Sequence, residues 1–257
     1  MRFHHVTTFF KNIRYHLSGT CPICGKHTIF FCRDILSARN NMWCLFCRSS
    51  SRKRHIARII LDEIVHDQTS IVKATKKLHD ITIYNTDGND QLTRFLYPAS
   101  ENYFCSDFVP GTPPGTELRP RVYCQDIQQL TFQDSLFDLV ISEDVFEHVR
   151  NHEKGFSEVY RVLQPGGRHV FTVPFLFDQP TVVRVDTSGD EDIHRFPPEY
   201  HEDSLRGKIL AYRTFGFDMF NLLRSIGFET SVRFSEYADK RYGIVNSHVF
   251  VSKKRSK

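Results

Sequence analysis

From about residue 80 the chain alternates short apolar runs with stretches of helical period. Ile81–Tyr84, Tyr103–Asp107, Val122–Asp126, Phe137–Ser142 and His169–Val173 read as buried strands, because β-branched and aromatic residues crowd between polar breaks. Between them, Asp90–Tyr97, a segment opening near Asp144 and residues 152–163 carry helical spacing, and Pro165-Gly166-Gly167 predicts a tight turn out of the last helix. After a long loop the pattern predicts a helix over 213–226, a strand over 228–235 and a final strand over 245–252. Strands alternating with helices predict an α/β fold, a parallel sheet covered on both faces. In such sheets ligands bind beyond the carboxyl ends of the strands. The acids that end the second and third strands, Asp107 and Asp126, therefore face one crevice.

The first part of the chain has a different pattern. Thr28-Ile-Phe-Phe-Cys32 reads as a lone strand between two cysteine pairs, and Ile56, Ile59, Ile60, Ile64 and Val65 recur at helical spacing. The reading divides the chain into an N-terminal module over 1–55, a connecting helix and linker over 56–79, and an α/β domain over 80–257. Charge supports the division. Residues 1–58 hold eleven Lys or Arg against one acid, Asp34, so a net charge of +4 hides a strongly basic start. A basic module suits an anionic partner such as RNA; equally, zinc modules are often basic because bound thiolates are negative. Arg52, Arg54 and His55 stand at the start of the connecting helix, where positive charge opposes the macrodipole unless it meets an anion, an acidic surface or solvent. No apolar run is long enough to span a bilayer, and the first residues lack the apolar core of a signal peptide, so the expected location is cytoplasmic.

Four of the seven cysteines form Cys21-Pro-Ile-Cys24 and Cys44-Leu-Phe-Cys47. Each CxxC turn aims two sulfurs at one tetrahedral ion, so the pairs predict a closed, structural four-thiolate zinc ribbon. Gly25 follows the first pair, where such a knuckle needs a residue tolerant of positive φ. Cys32, Cys105 and Cys124 read as buried strand residues.

Residues 121–175, RVYCQDIQQLTFQDSLFDLVISEDVFEHVRNHEKGFSEVYRVLQPGGRHVFTVPF, resemble the central block of class I S-adenosylmethionine-dependent methyltransferases of the type 11 kind. The shared pattern is a strand ending in Asp, Phe-Asp-Leu-Val, Glu-His-Val, and a Pro-Gly-Gly turn before strand five. The resemblance implies a Rossmann-like sheet of seven strands and S-adenosylmethionine (SAM) as cofactor. It implies that Asp107 accepts both ribose hydroxyls, which suits a carboxylate with two acceptor oxygens. It implies that Asp126 accepts from the adenine amino group with Ile127 beside the ring, and that Ser142 and Glu143 lie near the methionine part and the acceptor. One stretch departs from the family. The glycine-rich loop after strand one is here Tyr84-Asn-Thr-Asp-Gly-Asn-Asp-Gln91, in which only Gly88 remains. Asn85, Asp87 and Asn89 tolerate left-handed backbone better than most residues. Asn85, Asp87 and Gly88 are accordingly taken as cofactor contacts, and a non-catalytic protein with a degenerate loop stays among the readings.

The remaining chemistry falls to His148, His201 and Glu143, with Asp203 nearby, as groups able to orient or deprotonate an acceptor. His201 sits in Pro197-Pro-Glu-Tyr-His201, in the loop after strand five where this fold places acceptor contacts. Glu143, Glu147 and His148 reproduce the Glu-x-x-x-Glu-His spacing of ubiquinone-pathway O-methyltransferases, some of which use a divalent metal. Glu-His-Val also occurs in the fold without metal, and the expectation is that the only metal is the structural zinc. The favoured acceptor is a small molecule or saccharide, methylated on oxygen. RNA methylation is the alternative, with the basic ribbon on phosphates.

Overall fold

In a computed structural model the described residues are 14–66, 70–203, 206–235 and 238–256, with the side chain of Asp203 excepted. The first thirteen residues, on which the leader-peptide reading rests, lie outside them. The chain forms two compact units. One takes in the residues up to Ile81 together with Asn89–Tyr103 and Val232–Val249; the other takes in Thr82–Gly88, Phe104–Ser231 and Phe250 onward.

The first unit is built on three antiparallel strands, β1 (Tyr15–Thr20), β2 (His27–Cys32) and β3 (Trp43–Cys44). β1 pairs with β2 from Tyr15 opposite Cys32 to Thr20 opposite His27, and Phe30 of β2 lies opposite Cys44. Helix α1 (Ser51–Ile60) follows, capped by the Ser50 hydroxyl accepting from the Lys53 amide, and runs on through a single π turn at Leu61–Val65. Its basic start meets partners inside the unit. Lys53 Nζ donates to Asp90 at 3.0 Å, and His55 Nδ1 lies 3.1 Å from the Ser247 hydroxyl. Arg54 is wholly buried. Its guanidinium donates to the carbonyls of Met42, Ser49, Tyr242 and Gly243 and lies over the Phe30 ring at 4.3 Å. Gly243, at φ +61, is required there: a Cβ would overlap the Phe30 ring. The unit that carries the cysteines is thus completed by a segment almost two hundred residues further along.

The second unit holds most of a mixed sheet. Its strands are β4 (Ile83–Asn85), β5 (Tyr103–Asp107), β6 (Glu117–Arg119), β7 (Val122–Cys124), β8 (Phe137–Glu143), β9 (Leu163–Thr172), β10 (Phe228–Phe234) and β11 (His248–Lys254). The order is β10-β11-β9-β8-β4-β5-β7-β6. β4 runs parallel to β8, β8 to β9 and β5 to β7, whereas β11 is antiparallel to β9. This is the Rossmann-like arrangement, with the strand order reversing about β4. The short edge strand β6 extends the expected seven strands to eight. Helix α2 (His152–Val162) and helix α3 (Met219–Ile226) match the helical spacing read there, and α3 ends on Gly227 at φ +117.

Five local expectations are corrected. Only Thr93–Leu96 of the 90–97 segment is helical, and the segment after Asp144 is a single 3-10 turn at Phe146–His148. Pro165-Gly166-Gly167 lies within β9 rather than before it, since β9 begins at Leu163 and bends there with Gly166 at φ +85. Arg213–Gly216 is a strand, not the first turn of α3: it pairs with Phe175–Leu176 on one side and Val182–Val183 on the other. The buried Arg213 guanidinium fixes it by donating to the carbonyls of Phe146, Val149 and Arg150. Between Phe175 and Gly216 the expected long loop is folded into small hairpins, one of which pairs Tyr200–Asp203 with Gly207–Leu210.

Candidate functional site

A cavity of about 220 Å³ opens at the carboxyl ends of β4, β5, β7 and β8. Parallel strands end together on one edge, so the residues just past each of them share its wall. Asp87, Asp107, Asp126, Ile127, Glu143 and His148 line it, and each was singled out from the sequence. Asp107 Oδ1 accepts from the Gly88 amide at 3.2 Å, and Oδ2 lies 3.4 Å from Arg119. Gly88 sits so close to this pair that a Cβ would come within 2.7 Å of Arg119 Nη2 and 3.0 Å of Asp107 Oδ2. Asp126 closes an Asx turn, its Oδ1 accepting from the Gln128 amide at 2.9 Å. Beyond β8 the backbone of Asp144 is left-handed, φ +50, and the Thr172 hydroxyl donates to its carboxylate. A non-glycine residue at positive φ on a cavity wall is strain held in place by its surroundings.

Three expected cofactor contacts do not line this cavity: Gly88, whose amide instead donates to Asp107, Asn85 and Ser142. Asn85 is fully buried at the end of β4, where its side-chain oxygen accepts from the Asp87 amide at 3.4 Å. Ser142 is fully buried too, its hydroxyl 2.8 Å from His169 Nε2. Side chains alternate along β8, so Ser142 and Glu143 project to opposite faces, and only Glu143 reaches the cavity. The sequence reading passed over Arg119, Gln128 and Arg206. Arg119 comes from an edge strand with no apolar pattern, and Arg206 from a hairpin tip.

At one edge of the cavity three side chains converge. Glu147 is fully buried, and its Oε1 lies 3.6 Å from His148 Nε2 and 3.8 Å from His201 Nδ1. The two facing imidazole nitrogens are 3.1 Å apart. His148 Nδ1 is 2.8 Å from the Leu210 carbonyl and His201 Nε2 is 3.3 Å from Glu199 Oε1. The hairpin carrying Tyr200–Asp203 therefore brings His201 to His148.

In the other unit the four sulfurs of Cys21, Cys24, Cys44 and Cys47 all lie within 4.8 Å of one another, with Cys21 to Cys47 at 3.6 Å and Cys24 to Cys44 at 4.0 Å. A tetrahedral zinc with bonds of about 2.3 Å needs sulfurs about 3.8 Å apart, so the donor set fits that ion. The knuckles match in backbone form. Gly25 has φ +72 and donates to the Cys21 carbonyl; Arg48 has φ +61 and donates to the Cys44 carbonyl. Hydrogen bonding to Cys21 holds the Cys47 thiol down at about 7 and Cys44 lower still. Burial pulls Arg54 down to about 10 while the cysteine sulfurs push it back up, so it remains a cation beside them at neutral pH. Cys32, Cys105 and Cys124 are buried in β2, β5 and β7, as expected.

Residues 74–171 match the family model described as Methyltransferase domain. Over that segment the chain is similar to this family. The matched segment contains β4 to β8, α2 and most of β9, which together supply almost the whole cavity wall. Sarcosine/dimethylglycine N-methyltransferase of Halorhodospira halochloris is 30% identical over 131 residues, 48% of this chain and 43% of that protein. Dimethylglycine N-methyltransferase of Parasynechococcus marenigrum is 38% identical over 64 residues, 25% of this chain and 23% of that protein. The chain thus spans less than half the length of the curated relatives it matches. Among solved structures, a S-adenosylmethionine-dependent methyltransferase from Clostridium acetobutylicum superposes with a TM-score of 0.46 at 17% identity, over 80% of this chain and 99% of that one. No helix among the described residues is long and apolar enough to cross a membrane.

Proposed function

We propose that the methyltransferase domain transfers a methyl group from SAM to a small-molecule acceptor, at an acceptor oxygen, and that the four-cysteine centre holds a structural zinc. The observation that carries the reading is the meeting of Asp107 and Asp126 on one cavity wall with Glu143 and His148. When bound, SAM supplies an activated methyl group, so the chemistry asked of the protein is placement. Asp107 holds the ribose hydroxyls between its two oxygens, with the Gly88 amide and Arg119 fixing the carboxylate from behind. Asp126 turns from Gln128 to the adenine amino group, and Ile127 packs on the ring. Glu143 and the His148–His201 pair stand on the acceptor side, where they orient and deprotonate a hydroxyl. The named relatives methylate amines, and an amine acceptor would use the same placement without needing the proton removed first.

Recognition of RNA by the basic ribbon has less support than its sequence charge promised, because Arg54 is buried and Lys53 is paired with Asp90. A non-catalytic role would rest on the altered loop, yet Gly88 is kept where its amide reaches Asp107. Isothermal titration of the zinc-loaded chain with SAM and its demethylated product tests the proposal. Binding that is lost in Asp107→Ala supports it and leads to an acceptor screen. An absence of binding to either ligand would remove the enzymatic reading.

A further inference from the structure

We infer that Glu147, His148 and His201 form a second metal centre, a two-histidine, one-carboxylate site for a zinc-like divalent ion at the edge of the cavity. The ligand atoms are separated by 3.1, 3.6 and 3.8 Å. A tetrahedral ion with bonds of about 2.0–2.1 Å to nitrogen and oxygen needs separations of about 3.4 Å, so small adjustments bring all three onto one ion.

The outer hydrogen bonds favour one tautomer of each ring. A backbone carbonyl only accepts, so His148 Nδ1, 2.8 Å from Leu210 O, carries the proton and Nε2 is left basic. Likewise the carboxylate of Glu199 takes the proton-bearing Nε2 of His201 and leaves Nδ1 basic. In those tautomers the nitrogens 3.1 Å apart both offer lone pairs to a cation between them. The buried Glu147 carboxylate supplies the compensating charge. Histidine ligands whose second nitrogen is held by a carbonyl and by a carboxylate are the usual outer support of a metal site. Two imidazoles with one carboxylate select a zinc-class ion over magnesium or calcium, which prefer oxygen throughout. Three protein ligands leave a tetrahedral position open, the form of a catalytic rather than a structural site. His148 also lines the cavity, so that open position belongs to the acceptor side.

The centre stands on its own ligands; only its part in the reaction rests on the methyl-transfer reading. There it would polarise an acceptor oxygen and leave Glu143 as the proton acceptor. The full chain is equilibrated with zinc chloride, desalted, and its zinc counted by plasma emission. The expected result is two zinc ions per chain in the native protein and one in both His201→Ala and Glu147→Gln, with thermal unfolding recorded for each. Cobalt(II) substitution needs no variant: a second cobalt with ligand-field absorption and no sulfur charge-transfer band supports the centre. One metal per native chain, bound with sulfur bands only, overturns it, and so does retention of two zinc ions by both variants. A native chain with two zinc ions that fails to bind SAM would refute the methyl-transfer reading and leave the metal centre standing.

Discussion

Replacing Arg54 by methionine tests how the cysteine centre is held. The substitution keeps most of the apolar stem and removes five donors from a wholly buried position. The carbonyls of Met42, Ser49, Tyr242 and Gly243 would each lose a charge-assisted hydrogen bond. The Ser49 carbonyl keeps the Cys44 amide, and an acceptor left unsatisfied costs about 1–3 kcal/mol, so the other three together reach at least about 3 kcal/mol. The thiolates would also lose a buried cation that they interact with. Metal binding in a small zinc module is coupled to its folding, so the same energy appears as weaker zinc retention, about a hundredfold. Competition of the native chain and Arg54→Met against a chromophoric chelator reads this directly, and differential scanning calorimetry reads the accompanying loss of stability. Arg54→Lys should fall between them, because one ammonium has three donors and cannot serve four carbonyls spread around a planar fork. Zinc retention in Arg54→Met within threefold of native, with an unchanged melting temperature, would show that these hydrogen bonds do not hold the centre.

Arg48→Gly relieves the left-handed backbone of the second knuckle and is expected to raise stability by about 1 kcal/mol, seen as a higher melting temperature; a lower one would mean that the Arg48 side chain contributes more than its φ costs. His169 is fully buried and burial pulls it down to about 3, against about 6.5 when unfolded. The unfolded chain therefore binds the extra proton first, so the stabilisation is complete above pH 6.5 and is lost as pH falls toward 3, at about 1.4 kcal/mol per pH unit. Urea titrations across that window should show a shallower slope in His169→Phe, and an unchanged slope would assign the acid sensitivity to other groups. Asp107→Asn keeps one acceptor oxygen and loses the charge, so SAM should bind about tenfold to a hundredfold more weakly by calorimetry; equal affinity would take Asp107 out of the site.

The central sheet was legible because its buried parallel strands are continuous apolar runs closed by acids, and because β5 and β7 end on the same edge. The cavity wall followed from that register. Other features depend on partners that local pattern does not contain. Arg213-Thr-Phe-Gly216 fits a helix start by composition, but a strand forms because Arg213 finds three carbonyls about sixty residues away. The approach of His201 to His148 spans 53 residues and depends on a hairpin whose pairing has no signal in either segment alone. Asn85 and Ser142 were placed by motif position, while their burial follows from which face of the sheet each occupies. Arg54 was recognised as needing an anionic partner, and what it found was a ring of carbonyls beside the thiolates.

The return of residues 232–249 to the cysteine unit has a consequence for biosynthesis. Ser51 Oγ donates to the Val245 carbonyl and accepts from the Val245 amide, a closure across 194 residues. Closing a flexible loop of that length costs about 5 kcal/mol in chain entropy before any contact rewards it. While the ribosome is still adding the middle of the chain, the four cysteines are already exposed, but the carbonyls of Tyr242 and Gly243 that complete the Arg54 cage do not yet exist. An early zinc ion would then serve as a placeholder, keeping the thiolates reduced and paired until Tyr242 and Gly243 emerge and lock the unit. Release of a chain truncated before residue 240 should leave a ribbon that exchanges its metal readily and is cut by proteases at sites the finished protein protects.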